Sequence, residues 1–76
     1  MDMLLDAESV TLLTKGLAIA IGGLGPALGI GKIGSKAMEA IGRNPEAADK
    51  VFVPMLIAMA LAEAIAIYAL VVVFTL

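Results

Sequence analysis

Apolar and polar positions divide the chain into two long apolar stretches around one short polar one. From Gly16 to Gly31, "GLAIAIGGLGPALGIG", no residue is charged, and Lys15 and Lys32 bracket the run. From Val51 to Leu76 a second apolar run of 26 residues is interrupted by a single charge, Glu63. Sixteen helical residues rise about 24 Å, so the first run needs its flanks to cross a hydrocarbon core of roughly 30 Å, whereas the second is long enough alone. Between them, "KIGSKAMEAIGRNPEAADK" supplies a helix-stop residue, Gly42. Asn44, Pro45 and Glu46 then make a start signal: a cap, a proline at the first helical position and an acid in the first turn. The pattern predicts an all-α transmembrane hairpin, one domain over residues 1–76. Its first helix covers about 10–41, its polar turn about 42–45 and its second helix about 46–75. Pro54 either bends that second helix or marks a fresh start near Val53.

Small residues recur at every second position: Gly23, Gly25, Ala27, Gly29 and Gly31. On a helix, at about 100° per residue, the series splits into two strips on opposite sides. Gly16, Ala20, Gly23, Ala27, Gly31 and Gly34 make one strip; Ala18, Gly22, Gly25 and Gly29 make the other. Leu17, Ile21, Leu24 and Leu28 fill one sector between the strips, and Ile19, Pro26 and Ile30 fill the other. Small strips let helices approach closely in a membrane. Copies packing one strip against the other make a heterologous contact, which closes into a ring or runs on as a filament, and a flat membrane favours the ring. The alternative is that one strip packs on the chain's own second helix.

Composition supports a membrane setting. Hydrophobic residues are 62% of the 76 and charged residues only 16%, far from the mix of a soluble domain. Cysteine, histidine and tryptophan are absent, which excludes thiolate and imidazole chemistry. A formal charge of −2 gives no reason to expect a nucleic-acid partner. The opening "MDMLLDAESVTLLTK" is acidic before its first lysine, unlike a secretory or transit segment, so the chain is expected to keep its own N-terminus. Lys32, Lys36, Arg43 and Lys50 cluster at or near the turn, which by the positive-inside rule places the turn in the cytoplasm and both termini outside.

Glu63 raises the chemical question. It sits near mid-span on an apolar face with Leu56, Met59, Ile67, Leu70 and Phe74, beside a small strip of Ala62, Ala66 and Ala69. A charge there costs several kcal/mol, roughly 3 or more, so the group is expected to be protonated when it faces lipid. No basic residue within the spans can pair with it. A carboxylate that is neutral in lipid and ionised only beside a cation or a water path is a proton carrier. The other reading is a protonated carboxyl that only hydrogen-bonds between helices.

Together, the alternating small motif, the turn "GRNPEA" and the acid in "AEAIAIY" resemble the c subunit, or proteolipid, of F-type ATP synthases over nearly the whole chain. The resemblance implies a ring of identical hairpins, first helices inside and second helices outside. That ring turns against the stator's a subunit, which carries an essential arginine. It implies a non-catalytic component in which Glu63 is the ion-binding carboxylate. Arg43, Asn44 and Pro45 match the turn that contacts the central stalk, with Asn44 where the family usually has Gln. Sodium-carrying relatives place oxygen-bearing side chains where this chain has Ile30, Ala64 and Ile65, so the transported ion is expected to be a proton. Neither a metal nor another cofactor is expected. Tyr68 matches a common family tyrosine that could orient Glu63 across a subunit boundary or serve in interfacial packing; with Ala62 and Ile30 it is expected to support the proton site. The expected location is a bacterial plasma membrane, with lipid around the ring. A small oligomeric pore is the competing function, but a pore would carry a polar stripe rather than one isolated acid. A purely structural membrane hairpin is a third reading.

Overall fold

The computed structural model describes residues 6–76; Asp2, one of the N-terminal acids, lies outside them. Helix α1 spans Ala7–Arg43, a short 3-10 turn spans Pro45–Ala47, and helix α2 spans Ala48–Thr75. Gly22 meets Ala69 and Gly34 meets Met59, so the helices run antiparallel. The hairpin that the sequence predicts is the one that forms.

Helix α1 begins three residues before the expected position 10. Asp6 is extended and its carboxylate accepts a hydrogen bond from the Ser9 N–H at 2.7 Å, a side-chain cap for an otherwise unpaired donor. Glu8 adds negative charge to the first turn, where the helix dipole favours it. Capping chemistry, not the onset of the apolar run, sets this boundary. The other end also differs from expectation. No glycine has a positive φ, and Gly42 lies inside the helix rather than ending it.

Asn44 makes the turn by itself. Its backbone N–H donates to the Ala40 carbonyl at 3.1 Å, closing α1, and its side-chain oxygen accepts from the Glu46 N–H at 3.2 Å, opening the next element. Pro45 then occupies the first turn position, where a missing N–H costs nothing. The α-helical pattern resumes at Ala48, two residues later than expected, because Pro45–Ala47 wind more tightly. Helix α2 then continues through Pro54 without a break, so no second start occurs near Val53.

The seam between the helices is narrow. On α1 it follows Ile19, Pro26, Ile33 and Ala37, of which Pro26 and Ala37 are buried. On α2 it follows Met55, Ala62, Ala66 and Ala69, all half-buried. Facing away from it, Leu17, Ile21, Leu24 and Leu28 are at least half exposed. So much apolar surface requires lipid or further copies of the chain to cover it. Both helices are long and apolar enough to cross a membrane.

Candidate functional site

Glu63 lies fifteen residues after Ala48 and twelve before Thr75, at the centre of α2. The contacts of Gly22 with Ala69 and of Gly34 with Met59 place Ile30 level with Ala62 and Glu63. Ala62 belongs to the seam, and Ile30 is half-buried at its edge. Glu63 itself is exposed, about 90° around the helix from the seam. Among the described residues the ion pairs are Lys36–Glu39 and Arg43–Glu39, both at the turn end, and Glu63 has none. The carboxyl is thus presented sideways, to whatever lies beside the hairpin.

The hairpin has two different sides. A hollow near the turn joins Lys32 and Lys36 of α1 to Lys50 and Pro54 of α2, which defines one side as the lysine flank. On α2, Lys50 and Pro54 lie about 140° and 180° from Glu63, across the seam, so Glu63 marks the opposite, glutamate flank. On α1, Gly25 and Gly29 share the angular sector of Lys32 and Lys36 and belong to the lysine flank. Gly23, Ala27 and Gly31 belong to the glutamate flank.

A Cβ added at Gly23, Gly25, Gly29 or Gly31 would meet nothing within 4 Å. Ala27 is exposed as well. The hairpin's own second helix therefore touches each strip at one glycine only, Gly22 of one and Gly34 of the other, and covers the sector of Ile19 and Pro26 between them. Gly22 and Gly34, not the alternating series, make the close internal approach.

Tyr68 does not join Glu63 within one chain. It is 72% exposed and lies about 140° from Glu63, on the lysine flank. At the turn, Arg43 donates to the Glu39 carboxylate at 2.6 Å, and Lys36 approaches the same carboxylate at 3.7 Å. Arg43, Asn44 and Pro45 all remain exposed, so the turn motif is displayed at the tip. Sequence reasoning does not single out Glu39, although its spacing of three from Lys36 and four from Arg43 is a helix-pair signal. It misses the hollow at the lysine flank as well. Three lysines and Pro54 come together there only once the helices are set side by side. No cluster of three or more metal-ligating side chains occurs among the described residues.

The sequence matches the family described as the C subunit of ATP synthase over residues 13–76. Among curated relatives, the ATP synthase c subunit of Dehalococcoides mccartyi is 47% identical over 68 residues, 90% of each chain. Its counterpart in Chloroflexus aurantiacus is 46% identical over 67 residues, 88% of each chain. That of a Synechococcus species is 49% identical over 72 residues, 95% of this chain and 86% of the relative. No solved structure matches. With two apolar spans, one mid-span acid and a displayed turn, the chain belongs to the ATP synthase c-subunit family, the non-catalytic rotor components of the membrane sector of F-type ATP synthases.

Proposed function

We propose that Glu63 is the group that carries the transported ion, and that the ion is a proton. The observation that carries this reading is the unpaired carboxyl at the centre of α2, turned to the side of the hairpin. Facing lipid it holds its proton, because a carboxylate in hydrocarbon is costly. Facing a cation on the stator's a subunit, it releases the proton and ionises, and rotation returns it to lipid after reprotonation. Each proton crossing about 100 mV supplies roughly 2.3 kcal/mol, so one acid per hairpin lets a ring accumulate enough for each nucleotide made. The positions of Ile30, Ala64 and Ile65 offer no side-chain oxygen for a sodium shell, which supports the proton over the metal ion.

The glycine strips support a ring in which the glutamate flank of one copy meets the lysine flank of the next. Tyr68, on the lysine flank, is then carried to the neighbour's Glu63, where its hydroxyl can orient the carboxyl. The first helices form the inner row and the second helices the outer one. Arg43, Asn44 and Pro45 face the central stalk on the cytoplasmic side of a bacterial plasma membrane.

Carbodiimide labelling tests the site in the assembled complex. Glu63 is expected to react, faster at low pH, with no protection by sodium. Labelling of Asp2, Asp6 and Glu8 without Glu63 contradicts the lipid-facing carboxyl reading, and sodium protection at neutral pH contradicts the proton. The Glu63→Gln variant is expected to assemble and to lose proton transport.

A further inference from the structure

Near the turn, the lysine flank carries a hollow of about 520 Å³. Ile33, Ala37 and Met55 form its apolar floor, and Lys36, Lys50 and Pro54 stand around it. In a closed ring each hairpin maps onto the next by rotation about the membrane normal, and rotation preserves depth. Any group of the neighbouring copy that fills the hollow must therefore come from the same depth on its glutamate flank. There α2 presents Phe52 and Leu56, within about 20° of Glu63 and 53% and 46% exposed.

Just toward the turn, Asp49 and Lys50 are consecutive, so they differ in height by only about 1.5 Å. They point about 100° apart, Asp49 to the glutamate flank and Lys50 to the lysine flank. Neither has an ion-pair partner among the described residues. In a ring, opposite charges at one depth on opposite flanks would be brought to the same boundary between copies.

We infer that Phe52 and Leu56 of each hairpin seat in the hollow of its neighbour, and that Asp49 pairs with Lys50 of that neighbour. The result is a belt of ion pairs around the turn end of the rotor. The inference rests on the ring reading and fixes which side chains meet within it. An anionic lipid, with its headgroup on the lysines, is the rival occupant.

The test uses the full chain assembled in membranes, and its lack of cysteine makes the background clean. Phe52→Cys and Pro54→Cys are combined. The two positions point about 160° apart on one helix, so a short bis-maleimide, which adds one thiol at each end, cannot join them within a chain. The expected product is a ladder from dimer to closed ring, which neither single cysteine gives. Asp49→Lys and Lys50→Asp are each expected to weaken the detergent-extracted ring at low salt, by roughly twofold to fivefold per boundary, with the double exchange restoring it.

Intact rings that do not cross-link overturn the inference, as do single reversals without effect or a double exchange that fails to rescue. An anionic phospholipid bound one per hairpin and lost in Lys50→Ala assigns the hollow to lipid and also overturns it. If the unsubstituted chain shows no ring by native mass measurement, the ring reading itself falls. A ring present without the 52–54 link removes only this inference.

Discussion

A methyl group added at Gly22 would stand 2.8 Å from the Cβ of Ala69, closer than real side-chain carbons pack. At Gly25, three residues on, it would meet nothing within 4 Å. Gly22 therefore serves the contact within the hairpin, and Gly25 does not. Gly22→Ala is expected to destabilise the hairpin itself by about 1–3 kcal/mol, with Ala69→Gly in the same chain recovering most of the loss. Interhelix energy transfer in detergent micelles reads this directly. Gly25→Ala is expected to leave that signal unchanged and to lower the yield of closed rings. A ring yield untouched by Gly25→Ala would show that the strip is not a packing face. Glu63 is legible in sequence because one charge inside 26 apolar residues stands out whatever the packing. The division of labour among the glycines is not. A helical wheel gives their angles but not the angle at which the second helix lies.

Among elements, the polar turn depends most on one residue. Asn44 serves both helices, closing α1 through its backbone and opening the 3-10 turn through its side chain. Asn44→Ala is expected to cost about 1 kcal/mol, seen as faster hydrogen exchange at the Glu46 amide. Gly42→Ala is expected to act in the opposite sense. The residue is helical and its Cβ position is open, so alanine should raise helix stability by up to about 1 kcal/mol. A loss of stability there would mean that the glycine must adopt a left-handed conformation. Sequence reading finds two helices with a polar turn between them because apolar runs and the Asn-Pro-Glu signal are local. It misses the early start at Ala7, where Asp6 and Ser9 outweigh the hydrophobic pattern, and it assigns Gly42 a stop that Asn44 provides.

At the scale of the whole molecule, the hairpin is 61 Å long. A hydrocarbon core of roughly 30 Å cannot cover it, so part of the hairpin extends beyond that core. With four basic residues at or near the turn, Glu46→Cys is expected to react with an impermeant thiol reagent from the cytoplasmic side only, and Ser9→Cys from the other side only. The reverse pattern would invert the proposed orientation. The family resemblance implies a ring from sequence alone. Which flank carries the acid and which the lysines emerges only from the paired helices, because a single helix has no flanks until a second one defines them.

Two dissimilar sides also give assembly a direction. On the proposed ring, a copy spoiled at Gly29 by a bulky side chain still offers a sound opposite side, so it is expected to join a growing arc and then prevent its completion. Co-expressed with unaltered copies, such a poison would reduce working rotors as the sound fraction raised to the number of members. A logarithmic plot of surviving activity against that fraction would then have a slope that counts the stoichiometry.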